Sequence, residues 1–358
     1  MLKICLLADA SSIHTARWCE HFSKQGFDMH VISFKEAKIS SATVHFFDSG
    51  AISTSGGNWK VLLKRRKIKK MILEIKPDIL HALYATSYGM VGALTGFKPY
   101  IVTALGSDVL ISAKQSRLYR QMLKFVFKKA SHVTCMAEHM EKEILGMGVK
   151  AQKLSVIRFG IDPAIFNKNN RATKPGEFLI TSTRNFEPVY NHELLFNAIA
   201  LVKDKVPGLK LIMVGDGSQR EYLKNLVKEK GLSDFTEFTG KIPQKEIAAL
   251  LNRTHIFITV SLSDGNCISL NEAMACGAWN IAGDIDATRQ WITNGVNGFL
   301  VPVDKPQELA QRIMESYENY SKLSEQSAGI NEKLIADKAL WSVNMQQMES
   351  IYRKLIQK

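Results

Sequence analysis

Short apolar runs alternate with longer segments whose apolar residues recur every three or four positions, along nearly the whole chain. The runs are strand-length and unbroken, as expected for strands buried on both faces of a parallel sheet. In the first half they fall at 4–8, 28–33, 79–81, 100–103, 131–136 and 154–158. Between them the periodicity predicts helices over 16–25, 61–75, 117–130 and 138–145, with Val61, Ile68, Ile72 and Ile75 sharing one face. Residues 166–176 are polar after Phe166, rich in Asn and Lys, and end on Pro-Gly, which predicts a linker. A second alternation follows, with strands over 177–182, 209–214, 235–238, 256–260 and 280–282. Its helices are expected over 192–202, 219–230, around 271–276 and over 307–318, and 335–358 reads as a further helix, basic near its end. Each alternation specifies a doubly wound parallel sheet in an α/β domain.

Bulk properties narrow the class. A chain of 358 residues, 46% hydrophobic and 23% charged, has room for two such domains and the composition of an ordinary globular protein. No apolar run reaches the roughly 18 residues of a membrane span. The opening MLKICLLADA turns polar too soon for a signal peptide and reads as a first strand. Cys5, Cys19, Cys135, Cys267 and Cys276 form no CxxC pair and no disulfide-rich spacing, so a reducing, cytoplasmic compartment is expected. A net charge of +13 calls for an anionic partner.

The most informative stretch is 261–277, SLSDGNCISLNEAMACG. It sets Asp264 on a loop and Glu272 in a helix, with Gly265, Asn266, Cys267, Ile268 and Ser269 between them. A helix N-terminus leaves N–H groups unpaired and suits a phosphate, whereas carboxylates accept hydrogen bonds from sugar and ribose hydroxyls. One site for both chemistries points to a nucleotide-sugar. Asp264, seven residues, Glu272 and then Ala-Met-Ala-Cys-Gly resembles the signature of retaining glycosyltransferases of family 4 ("group 1") in the GT-B superfamily. That family has Glu at the first acid, so Asp264 is a shortened variant.

The resemblance covers nearly the whole chain. It implies a GT-B fold of two facing Rossmann-like doubly wound parallel-sheet domains with an interdomain cleft. Residues 1–166 would bind the acceptor and 176–337 the nucleotide-sugar donor, with a helix over about 338–358 crossing back to the first domain. Arg184, in TRNFEP, matches the arginine that clamps the donor diphosphate, a task suited to a forked, always-charged guanidinium. The lysine that normally follows is missing; Tyr190, Asn191 and His192 occupy its region, and Asn191 is a candidate substitute. Gly215, in MVGDG, resembles the strand-end turn near the nucleotide, and Gly240, Lys241 and Ile242 match the loop that reads the base edge. By the same resemblance Glu272 binds ribose hydroxyls, Asp264 a hydroxyl of the donor sugar, and the amides of Asn266, Cys267, Ile268 and Ser269 the distal phosphate. The Asp284–Asp286 triplet lies in the second domain, where the resemblance places a loop near the donor sugar rather than a metal site, and no His/Cys cluster supports a metal.

On the acceptor side, Ser12, His14 and Arg17 lie in SIHTARW, which departs from the GxGxxG fingerprint and argues against a nicotinamide or flavin enzyme. His81 and Asp108 are further acceptor candidates in strand-end loops, while Leu83 and Leu105 stand where many relatives carry His. Catalysis would rest on holding donor and acceptor together and on stabilising the leaving diphosphate by Arg184 and the loop amides. No metal or other cofactor is expected, and UDP is the expected nucleotide.

Basic residues concentrate over 60–76 and over Arg117–Lys129, with Arg117, Arg120, Lys124 and Lys128 in one stripe. Such faces suit an anionic membrane surface or a polyprenyl-diphosphate-linked glycan acceptor. Nucleic acid could use similar charge, but no nucleic-acid motif accompanies it. The reading is a transferase of bacterial surface polysaccharide assembly. Transfer to a soluble small molecule and a catalytically weak GT-B scaffold are the alternatives.

Overall fold

The computed structural model describes residues 1–47 and 65–357. The part of the basic segment before Arg65, and the predicted helical turn containing Val61, lie outside them. The chain divides into two compact units, Met1–Phe159 with Val343–Lys358, and Gly160–Ser342. Each holds one wholly parallel sheet of Rossmann-like topology.

In the first unit the strands are β1 (Lys3–Leu7), β2 (Asp28–Ser33), β3 (Thr43–Phe46), β4 (Ile79–Leu83), β5 (Tyr100–Ala104), β6 (His132–Cys135) and β7 (Leu154–Val156), ordered β3-β2-β1-β4-β5-β6-β7. The central β4 and β5 are buried throughout, as strands covered by helices on both faces must be. The edge strand β3 has no buried residue and no apolar run, and for that reason its sequence does not read as a strand. The helix Tyr88–Thr95 also escapes periodicity analysis, because YGMVGALT is buried nearly all round and carries no polar face.

In the second unit β8 (Phe178–Ser182), β9 (Leu209–Val214), β10 (Thr236–Gly240), β11 (Ile256–Thr259), β12 (Trp279–Gly283) and β13 (Phe299–Val301) are ordered β10-β9-β8-β11-β12-β13. Strand order reverses between β1 and β4 in one sheet and between β8 and β11 in the other. At such a switch point neighbouring connections leave in opposite directions and open a crevice beyond the carboxyl ends of the strands.

Residues 166–176, expected to be a linker, are instead part of the second unit. Phe166 is buried with Leu251, Leu270 and Met274. Arg171 donates to the carbonyls of Leu251, Cys276 and Thr254 and to the Tyr320 hydroxyl. The helices Gln244–Leu251 and Ile268–Ala275 end at those carbonyls, whose orphan acceptors and negative dipole ends favour a guanidinium. Arg171 thus caps helices, while residues 168–170 and 172–176 are exposed.

The expected helix over 335–358 is two helices, Tyr320–Lys338 and Trp341–Ile356. The break is held by Ile161, whose N–H donates to Ala339 O and whose carbonyl accepts from Trp341 N, at 2.7 and 3.0 Å. From Val343 onward the second of these helices packs in the first unit.

Candidate functional site

Arg184 lies just past the end of β8, and Asp264 lies in the loop after β11, so the two flank the switch point of the second sheet. Arg184 Nη2 meets Asp264 Oδ2 at 2.5 Å, and both side chains are largely buried, with 11% and 15% exposed. Nη1 reaches Ser269 Oγ at 3.1 Å and Cys267 Sγ at 3.5 Å. The Tyr190 ring lies under the guanidinium, 4.2 Å from Cζ, a cation–π contact. Burial works against the charged guanidinium, but the Asp264, Cys267 and Tyr190 neighbourhood outweighs it and holds the pKa above its ordinary value. The Nε–H is buried and has no hydrogen-bond partner, an unspent donor of the kind that native sites reserve for a ligand.

The helix Ile268–Ala275 starts here, with Cys267 at its N-cap and 1% exposed. Burial pushes the Cys267 thiol up, so it stays protonated beside the guanidinium. The amides of Ile268 and Ser269 stand in the first turn, where helix geometry leaves N–H groups without intrahelical partners. Glu272, 9% exposed, follows one turn later on the same helix. The preceding loop is fixed by Asn266, whose Oδ1 accepts from Trp291 Nε1 at 3.0 Å; both side chains are buried. Trp291 lies just beyond the short helix Asp286–Arg289, so the loop is anchored from the β12 side.

Gly215, at φ +143°, directly follows β9. A Cβ there would lie 2.8 Å from Arg184 O, so glycine lets this turn pack against the backbone carrying the clamp residue. Its N–H donates to Gly240 O at 3.0 Å, which ties the two glycine turns together. Lys241 and Ile242 follow Gly240; Lys241 is exposed, and Ile242 packs against Leu179, Val214 and Leu250. Asp284 and Asp286 both pair with Arg289, at 2.7 and 3.2 Å.

Asn191 does not supply a phosphate donor. At φ +55° its amide turns inward and donates to Val303 O at 2.8 Å and Val260 O at 3.3 Å. His192 is also structural. Burial lowers its pKa to about 4, so it is neutral and donates from Nε2 to Asn185 O at 3.0 Å. Tyr190 is the residue of this segment that meets Arg184, a contact that residue spacing does not reveal.

In the first unit, Ser12 caps the helix Ile13–Lys24, its Oγ accepting from His14 N at 3.3 Å. The His14 ring lies against Phe159, tilted by 38° with centroids 4.9 Å apart, and burial with Arg17 nearby lowers its pKa to about 4. Arg17 lies one turn further along the helix. These three residues follow β1, at the switch point of the first sheet. Asp9, absent from the sequence-based set, stands closer to the strand end, accepts from Ser11 and pairs with Lys35 at 2.7 Å.

Two acceptor candidates are corrected. His81 is central in β4 and 0% exposed. Its Nδ1 meets Tyr352 Oη and its Nε2 meets Thr103 Oγ1, each at 2.7 Å. Asp108 is also 0% exposed and accepts from the N–H groups of Ala85, Leu105, Gly106 and Val109. Its carboxylate builds the loop after β5 and has no face open to an acceptor.

Comparison with known proteins bears on the family and the fold. Residues 164–333 match the model described as glycosyl transferases group 1, and residues 3–137 match glycosyl transferase 4-like. An uncharacterized glycosyltransferase of Methanocaldococcus jannaschii is 28% identical over 298 residues, 82% of this chain and 80% of that protein. Sucrose-phosphate synthase from Thermosynechococcus elongatus superposes with a TM-score of 0.86 at 18% identity, covering 99% of both chains. Anabaena HepE, solved in complex with UDP-glucose, superposes with a TM-score of 0.80 at 19% identity, covering 99% of this chain and 100% of that one. Sequence and fold lead to one assignment: the chain belongs to the group 1 glycosyl transferases of the GT-B class and is a glycosyltransferase.

Proposed function

We propose that this enzyme transfers a sugar, with retention and without a metal, from a nucleotide-diphosphate sugar to a lipid-linked glycan during bacterial surface polysaccharide assembly. The observation that carries the donor half is Arg184 set against the start of the Ile268–Ala275 helix, with Asp264 and Glu272 beside them. A guanidinium and first-turn amides suit a diphosphate, and two carboxylates suit hydroxyls. The HepE complex with UDP-glucose supports uracil as the base. In the reaction, Arg184 and the amides would stabilise charge growing on the leaving diphosphate, and the acceptor proton would pass to that phosphate.

The lipid-linked acceptor is supported by two helices of the first unit. Arg65, Arg66, Lys67, Lys69 and Lys70 are exposed on Arg65–Ile75, together with Leu73. Arg117, Lys128 and Lys129 are exposed on Arg117–Lys129, together with Leu118, whereas Arg120 and Lys124 are half-buried. Cations interspersed with exposed leucines suit the surface of an anionic bilayer. No helix among the described residues is long and apolar enough to cross a membrane, and we place the enzyme on the cytoplasmic face.

Calorimetry with UDP, GDP and ADP, then with their sugars, tests the donor reading. Saturable binding of one nucleotide that is lost in Glu272→Ala is expected. Binding that survives the substitution unchanged would remove Glu272 from the site. Flotation with phosphatidylglycerol vesicles tests the acceptor reading, and a protein that stays at the bottom of the gradient would favour a soluble acceptor.

A further inference from the structure

We infer that Asp264 is an internal competitor for the diphosphate site, and that it makes the enzyme hold its donor in preference to its nucleotide product. The inference rests on the donor reading above and extends it to product release. Arg184 Nη2 is bound to Asp264 at 2.5 Å, in a pair that is largely buried. Nη1 is turned to Ser269 and Cys267, and the Tyr190 ring covers one face. The direction in which Arg184 would offer its Nη2 protons to a phosphate is therefore taken by a carboxylate of this chain.

A diphosphate entering the site has to displace Asp264 from Arg184 and remain near its charge. In a poorly solvated site both effects are large. A nucleotide-sugar can meet the cost, because its sugar hydroxyls offer Asp264 new donors once Arg184 is given up. A bare nucleoside diphosphate cannot. When transfer removes the sugar, Asp264 loses those hydroxyls and returns to Arg184, expelling the product.

The test is calorimetry on wild type, Asp264→Asn, Asp264→Ser and Asp264→Glu. The probes are the tightest-binding of UDP, GDP and ADP, its glucose conjugate, and inorganic pyrophosphate. Removing the charge in Asp264→Asn should tighten nucleoside diphosphate and pyrophosphate by about tenfold, the order expected for an uncompensated like charge at close range. The nucleotide-sugar should gain much less, so discrimination between donor and product collapses. Asp264→Glu, which keeps the charge, should retain the wild-type preference. Asp264→Ser serves the same purpose as Asp264→Asn and replaces it should the amide variant not fold. A folded, neutral variant that binds the diphosphate no tighter than wild type overturns the competition and leaves the donor reading standing. A wild type that binds none of the probes overturns both.

Discussion

Tyr190 holds Arg184 through its ring face rather than through charge. Where a lysine was expected, the chain puts an aromatic face 4.2 Å from the guanidinium carbon. A stacked ring leaves the in-plane N–H groups free while fixing the plane in which they point. Tyr190→Phe should therefore bind nucleotide as wild type does. Tyr190→Ala should lose about 0.5–2 kcal/mol of nucleotide affinity, the range of such contacts, and calorimetry on the pair of variants separates stacking from the hydroxyl. Asp264 and Glu272 stand out in the sequence because their spacing is a pattern, eight residues apart across a loop–helix junction. Directions do not. Asn191, His81 and Asp108 have the right polarity for ligand contacts, yet each side chain points into the protein and serves backbone or hydroxyl groups there. A sequence states which groups exist, and only packing states where they aim.

At the scale of elements, the loop before the Ile268–Ala275 helix depends on a partner from the next βα unit. Trp291 Nε1 holds Asn266 Oδ1, and Asn297 in turn donates to the Trp291 carbonyl at 2.9 Å. Trp291→Phe keeps the ring in the core but removes the Nε1–H that Asn266 Oδ1 accepts, the loss of one buried hydrogen bond at a cost of about 0.5–1.5 kcal/mol. Because that cost is lowered if the loop shifts, the variant should raise KM for the nucleotide-sugar more than it lowers kcat, and steady-state kinetics would register the split. An unchanged KM would mean that the loop is rigid without this bond. The same scale explains what could be read of the fold. Strands buried on both faces announce themselves as apolar runs, as β8, β11 and β12 do. The edge strand β3 and the uniformly buried helix Tyr88–Thr95 lack the contrast on which periodicity depends. Residues 166–176 read as a linker because most of them face water, and sequence does not separate Arg171, which caps helices, from its exposed neighbours.

For the molecule as a whole, buried histidines set a pH limit in both units. Burial, with His132 nearby, takes His81 down to about 3, and burial takes His192 to about 4. Unfolded, each returns to about 6.5, so below that pH the unfolded chain binds protons that the folded one refuses. Stability is therefore complete above about pH 6.5 and falls as the pH drops, by about 1.4 kcal/mol per unit for each such histidine. Urea midpoints should be level from pH 8 to 7 and fall between pH 6 and 5, above the carboxylate range; a midpoint that stays level would show that the histidines protonate in place. His81 also belongs to a hydrogen-bonded series of side chains. Trp18 can only donate, and it donates to Tyr352 at 3.1 Å. Tyr352 meets His81, His81 meets Thr103, and Thr103 meets Thr134 at 2.6 Å. Its second member, Tyr352, is a residue that the ribosome adds nearly two hundred positions after Phe159, where the rest of that unit is complete. At about 5–20 residues per second the emerging first unit waits some tens of seconds with Trp18, Phe22 and His81 uncovered on the side that Tyr352 will occupy. The second unit can close first although it is made second, and chaperones that guard the nascent chain would find their longest-lived target in the half that was synthesised earliest.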